Sequence, residues 1–342
     1  MKNKIINKIL KDLKLDAILV YGDSRDFRFY KFLTGIEPLT IAFVLLEQNK
    51  TSLIQFSYLV EDTKSKSNFD VISIRDDRTL KEDLAKILVR FQKVGVVGDV
   101  PFRVLSENLN FIDVTKEFEV LISYKSSKDV KGIEDSAKTL SNIFSKLEKE
   151  FKSGMRNEKD IEKFVKREIF EKGLKELFPV SICSDELLKN STIGSARDID
   201  VKKYVCIDAG VIKNGYTADM TRMFFVRDSF VSKSYELLKK VNSSIEKKVC
   251  GISVSELRNI YLKELKKIGL PDKLNDEYIG HGTGFSLHEF PVFFQEESKD
   301  FIFKSGNVFT LEPEIKLKNG INIRVEDMYA IDTNNDIIKL TF

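Results

Sequence analysis

The sequence predicts two domains of different class, an α/β domain first and an α+β domain after it. Three observations carry this. The chain has 342 residues, a length that favours two domains over one. Its first third alternates short apolar runs with helix-like segments. Its last 140 or so residues hold two strand pairs, each closed by Asn-Gly, with amphipathic helices between them. The expected boundary falls in the polar run "SYKSSKDVKG", giving domains over 1–124 and 125–342.

Taken in order, "MKNKIINKILKDLKLD" places Ile5, Ile6, Ile9, Leu10 and Leu13 at helical spacing with lysines opposite. It lacks the uninterrupted apolar core of a signal peptide and reads as a helix packed on the first domain. The runs "DAILVYG", "TIAFVLL", "TSLIQF", "FDVISI" and "KVGVVG" read as strands. "TLKEDLAKILVRF" reads as a helix with Thr79 and Glu82 in capping-box spacing, and "VPFRVLSENL" as a further helix. The charged cluster Asp23, Arg25, Asp26 and Arg28 reads as a solvated loop. Beyond the boundary, helices are expected over "IEDSAKTLSNIFSKLEKEF" and "NEKDIEKFVKREIFEKG", the second capped by Asn157 and stopped by Gly173. Two more follow the first hairpin: "FVSKSYELLKKVNSSIEKKV", and "SVSELRNIYLKELKKIG" with a Ser253–Glu256 capping box.

Composition excludes more than it selects. With 56 basic and 53 acidic residues the net charge is +3, and no basic cluster with interleaved aromatics marks a nucleic-acid surface. No phosphate-binding loop or dinucleotide fingerprint is present. No stretch approaches eighteen apolar residues, so no membrane-spanning helix is expected. Cys183, Cys206 and Cys250 show no metal-ligand spacing, which fits a reducing compartment. Cys206 alternates with Asp208 and either lies near the site or is a small buried hydrophobe, the commoner role.

The chemistry concentrates between Lys203 and Met328. Asp208, Asp219, Glu312 and Glu326 stand in apolar, strand-like runs where an isolated carboxylate is costly to bury. His281 and His288, the only histidines, lie seven residues apart in "GHGTGFSLHEFP". If Asn214 and Gly215 form a two-residue loop, Lys213 pairs with Tyr216 and Asp208 lies opposite Thr221. Asp208 and Asp219 are then diagonal neighbours on one face, roughly 7–8 Å apart at Cα, within reach of two ions ~3.5–4 Å apart. A strict two-residue loop at Asn319-Gly320 instead puts Glu312 opposite Asp327. For Glu312 to meet Glu326 the register must slip by one, through a bulge near Pro313 or a longer loop. A shared cation explains these acids and the imidazole better than separate solvated positions do.

The segments "IDAGVIKNGYTADMTRMF", "GHGTGFSLHEFP", "TLEP" and "RVEDM", in that order, resemble the pita-bread metallopeptidases. The preceding residues, with "YKFLTG", are similar to the N-terminal domain of the creatinase, prolidase and aminopeptidase P branch. The resemblance implies an α/β N-terminal domain joined to an α+β pita-bread domain. It implies two divalent ions (manganese, cobalt or iron) held by Asp208, Asp219, His281, Glu312 and Glu326. Catalytic roles fall on His288 and Glu312, and substrate contacts on His288 and Arg324. The implied reaction is hydrolysis between an N-terminal residue and proline by a metal-bridging hydroxide, in a cytoplasmic homodimer acting on small peptides. Three departures touch the substrate shell. A usual upstream histidine is replaced near Ser195, the arginine after "HExP" is Val292, and the usual glycine and tyrosine after "EP" are Glu314 and Lys316. These keep open a dinuclear aminopeptidase of altered specificity, or a catalytically weak relative serving as a binding module.

Overall fold

The computed structural model describes residues 2–101, 105, 109–227, 229–245, 248–271, 274 and 278–342. It divides into two compact units, Met1–Ile122 and Ser123–Phe342.

The first unit opens with α1 (Lys2–Asp12), which buries Ile6, Ile9 and Leu10, one stripe at helical spacing. Then follow β1 (Ala17–Gly22), α2 (Arg28–Thr34), β2 (Ala42–Glu47), β3 (Lys50–Phe56), α3 (Val60–Lys66) and β4 (Asp70–Ile74). After these come α4 (Leu80–Leu88), β5 (Lys93–Val97), β6 (Asn110–Asp113) and α5 (Thr115–Ile122). The strands form one mixed sheet in the order β4-β3-β2-β1-β5-β6. Every residue of central β1 is buried, which is why its sequence is continuously apolar rather than alternating. The five predicted strands are all present.

Three local readings are corrected. Thr79 does not cap α4: a short 3₁₀ turn over Asp77–Thr79 precedes it, and Asp76 accepts from the Arg78 and Thr79 amides instead. Asp23 is not a solvated loop residue. It is buried, and its carboxylate accepts from the Arg25 and Asp26 amides and the Tyr21 hydroxyl. Strand β6 has no counterpart in the sequence reading, because its four residues lie at the sheet edge and none is fully buried. The helix expected over "VPFRVLSENL" lies largely outside the described residues.

The second unit begins with α6 (Ser127–Lys152), capped by a Ser126–Asp129 capping box. The polar run expected at the boundary therefore includes the cap and the first turn of a 26-residue helix. Helix α7 (Glu158–Glu171) is capped by Asn157, and Gly173 follows it with φ +66°. Next come β7 (Lys175–Glu176), β8 (Ser181–Ser184), β9 (Tyr204–Lys213), β10 (Tyr216–Phe225), α8 (Phe230–Ile245) and α9 (Val254–Lys267). The Ser253–Glu256 capping box forms at the start of α9. The chain ends with β11 (His281–Gly282), β12 (Glu289–Val292), β13 (Val308–Leu311), β14 (Glu314–Lys316), β15 (Asn322–Arg324), β16 (Asp327–Ile331) and β17 (Ile337–Lys339). One sheet runs β10-β9-β7, with β8 also on β9, and another β12-β11-β13-β16-β17; β14 and β15 form a separate pair. Leu238, Tyr261, Phe303, Phe309 and Tyr329 belong to one buried core that these strands share with α8 and α9.

Two turns set the register on which the site depends. In the β9–β10 hairpin, Asn214 (φ +51°) and Gly215 (φ +74°) both take the left-handed conformation of a type I′ loop. Lys213 pairs with Tyr216 and Asp208 with Thr221, as the two-residue loop requires. The β14–β15 turn is longer. The Leu317 amide donates to the Ile321 carbonyl, so Lys318, Asn319 and Gly320 form a three-residue loop, with Gly320 at φ +83°. That extra residue supplies the one-residue slip: Glu314 pairs with Arg324 and, further along, Leu311 with Asp327.

Candidate metal centre

Between those paired stretches, Glu312-Pro313 faces Val325-Glu326, and the ladder opens there. The Glu312 amide donates to Ile279 O at 2.8 Å, and the Glu326 amide to Thr221 O at 3.2 Å. Pro313 has no amide to contribute. Thr221 also donates its hydroxyl to Glu326 Oε2 at 3.1 Å. The residue opposite Asp208 on the first hairpin thus ties the second hairpin to it.

His281 enters from β11. Its amide donates to Thr310 Oγ1 at 3.2 Å, and its Nδ1 lies 2.9 Å from the Gly282 carbonyl. A carbonyl only accepts, so Nδ1 carries the proton and Nε2 keeps a lone pair. That lone pair faces acids: Nε2 lies 3.6 Å from Glu312 Oε2, 3.7 Å from Glu326 Oε1 and 3.9 Å from Asp219 Oδ2. Ligand atoms of Asp219, His281 and Glu326 all lie within 4.8 Å of one another. A Cβ on Gly280 would meet the Thr310 carbonyl oxygen at 2.1 Å, so only glycine fits there, immediately before His281.

Asp208 and Glu312 meet through a third residue. Arg324 places Nη2 2.5 Å from Asp208 Oδ2 and Nη1 3.2 Å from Glu312 Oε1. Expected as a substrate contact, Arg324 is 5 % exposed, with both terminal nitrogens against site carboxylates. Next to it stands Glu314, 4.0 Å from Arg324 Nη1 and hydrogen-bonded to the Thr192 hydroxyl. One position that departs from the family pattern therefore lies against the arginine of the site. His288 is exposed, and its ring lies edge-on to His281 at 4.5 Å between centroids. Tyr278 stacks beside His281 at 6.2 Å and packs on Phe294 at 5.4 Å. Neither tyrosine nor phenylalanine is distinctive in the sequence, and only the fold brings them here. Cys206 is fully buried in the core, and burial pushes its thiol well above the ordinary range.

The electrostatics follow from this crowding. Burial, then repulsion from Asp208 and Glu312, pushes Asp219 well above the usual carboxylate range. Burial and repulsion from Asp219, Glu312 and Asp208 do the same to Glu326. Glu312 is raised to about 7, mainly by burial, against the pull of Arg324. Burial also raises Asp208, again with Arg324 opposing. Burial lowers His281 to about 3, so its imidazole is neutral.

These residues fit a divalent cation. Asp208 Oδ1, Asp219 Oδ1, His281 Nε2 and Glu326 Oε1 are buried without a hydrogen-bond partner among the described residues. Buried polar atoms are seldom left so, and four in one cluster call for a shared positive charge. One arginine against four carboxylates does not supply enough.

Comparison with known proteins agrees. The chain is similar to an Xaa-Pro dipeptidase of Pyrococcus horikoshii, 22% identical over 99% of this chain and 97% of that one. Among solved structures it resembles the prolidase of P. horikoshii OT3 (TM-score 0.85, 22% identity, 100% and 98% of the two chains). It also resembles the N-terminal domain of the FACT complex subunit SPT16 from chickpea (TM-score 0.77, 15% identity, 99% and 95%). The fold is thus the pita-bread architecture with its N-terminal α/β domain. The model of metallopeptidase family M24, a divalent-metal-dependent family, matches residues 131–333, more than half of the sequence. The chain belongs to metallopeptidase family M24.

Proposed function

We propose that this chain is a metal-dependent peptidase that cleaves the bond between an N-terminal residue and proline. The observation that carries it is the convergence of four unpartnered buried ligand atoms, three carboxylate oxygens and the Nε2 of a neutral imidazole. The similar P. horikoshii protein, an Xaa-Pro dipeptidase, suggests the substrate class. Asp208, Asp219, His281, Glu312 and Glu326 would hold two divalent ions. Oxygen-rich ligation with one imidazole suits manganese, cobalt or iron. Bound there, such ions lower the pKa of a water and polarise the scissile carbonyl.

The chain's own groups do the rest. Glu312, raised to about 7, is poised to take a proton at its carboxylate and pass it to the leaving amine. His288, exposed beside His281, donates an N–H to the oxygen that gains charge as the carbonyl is attacked. Arg324 keeps Asp208 and Glu312 in place from behind. Tyr278 and Phe294 give an apolar wall beside the site. The three free cysteines suit a reducing, cytoplasmic setting. The resemblance to prolidases suggests a homodimer, which light scattering would test.

A second reading keeps the metal centre and changes the substrate. With Val292 in place of the usual arginine and no histidine near Ser195, the two groups expected to hold a dipeptide's terminal carboxylate are missing, and Glu314 is held on Thr192. The test is manganese-reconstituted hydrolysis of Xaa-Pro dipeptides and Xaa-Pro-Yaa tripeptides. Release of the first residue from either supports the peptidase. Turnover of tripeptides alone favours the second reading, and turnover of neither refutes both.

A further inference from the structure

Among the described residues, the Lys125–Glu289 pair is the most deeply buried charge pair outside the metal centre. Both side chains are 0 % exposed, with Nζ 2.5 Å from Glu289 Oε2. The other oxygen of Glu289 is used as well: Oε1 accepts the Phe285 amide at 2.5 Å and the Ser286 amide at 2.9 Å. One carboxylate therefore fastens the turn that leads into His288 to a lysine 164 residues away in sequence. The Lys125 end is itself fixed, because its amide donates to the Gly306 carbonyl at 2.8 Å. The rest of the turn is pinned from the first hairpin and from within: Thr217 Oγ1 of β10 and Thr283 Oγ1, just after β11, both donate to the Ser286 carbonyl, and Ser286 Oγ donates to the His288 carbonyl.

The His288 ring is not held this way. No hydrogen bond to it is found among the described residues, so its place 4.5 Å from His281 is set by the backbone that carries it. Burying an ion pair is a poor way to gain stability, since an apolar pair of the same volume does as well or better. A pair that directs two backbone amides has a different use.

We propose that Lys125 and Glu289 are positioning residues, which fix the Phe285–His288 turn so that His288 faces the metal centre. This deepens the peptidase reading and rests on it for the role of His288. Neither residue touches substrate. A misplacement of about 1 Å at a catalytic group is enough to cost roughly a hundred-fold in rate.

The test compares wild type with Lys125→Met, Glu289→Gln and the double variant. The Gln carbonyl still accepts the two amides, and the double variant leaves no unpaired buried charge, so it should fold even if a single variant does not. Two readouts are taken. One is kcat and KM on a proline peptide with manganese. The other is the histidine ring-proton spectrum of metal-free protein carrying ¹³C-histidine, assigned with His288→Gln, since the chain has only two histidines. Folded Lys125→Met should lose roughly ten- to a hundred-fold in kcat, with KM and manganese affinity nearly unchanged. The His288 resonance should move while that of His281 stays. If the single variants fail to fold, the double variant must show the same kcat loss and resonance shift. An unmoved His288 resonance, or a wild-type kcat, in a folded variant overturns the proposal. If wild type hydrolyses no peptide, the functional reading fails, and the spectrum alone still decides whether the pair sets His288.

Discussion

Replacing Glu312 by glutamine should make the metal-free chain relatively more stable as pH rises. Glu312 ionises near 4.5 when free and at about 7 in the folded site, where burial and Asp208 outweigh Arg324. The folded state thus holds this proton more tightly than the unfolded chain does. Stability from that proton is complete below about 4.5 and is lost as pH climbs through about 7. Wild type loses it and Glu312→Gln has none to lose. The gap between 4.5 and about 7 corresponds to roughly 3 kcal/mol. Comparing the two proteins also cancels His281, whose lowered value acts with the opposite sign over part of this range. The assay is urea unfolding with a chelator at pH about 4.5 and about 8, where the difference between variant and wild type should shift by roughly 3 kcal/mol toward the variant. Manganese should reverse the order by stabilising wild type alone. A pH-independent difference would refute the reasoning. A shift toward wild type would mean that Arg324, 3.2 Å away, outweighs burial.

Two more outcomes follow from the same geometry. Asp219→Asn removes a charge that burial and neighbouring acids disfavour, so the chelated protein should gain stability at neutral pH, measured by denaturant unfolding. Its turnover should fall by roughly a thousand-fold or more, the scale of losing a principal electrostatic group; wild-type-like turnover would remove Asp219 from the site. Arg324→Met strands the Asp208 and Glu312 carboxylates without their cation and should cost about 3–5 kcal/mol in chelated protein. Manganese should recover part of that loss, and unchanged unfolding would show that Arg324 does not hold the pair.

Much of this site was legible before the structure, because local chemistry determines it. Asn214-Gly215 specifies a type I′ turn, and that turn alone fixes Asp208 opposite Thr221. The second hairpin was legible only as a requirement. Asn319-Gly320 is compatible with two- and three-residue loops, and the sequence does not say which one Lys318 joins. The need for Glu312 and Glu326 to meet pointed to the slip, and the longer loop provides it. What the sequence did not reveal are contacts made across long separations: Arg324 against Asp208, Lys125 against Glu289, and Thr192 against Glu314. No periodicity announces such pairs. The start of α6 was hidden for another reason, since a capping box and a polar linker draw on the same small polar residues.

The most direct test is anomalous diffraction from crystals grown with manganese. Two peaks should appear, both among Asp208, Asp219, His281, Glu312 and Glu326. Crystals that bind no manganese among these five residues, or bind it elsewhere on the chain, would contradict the account.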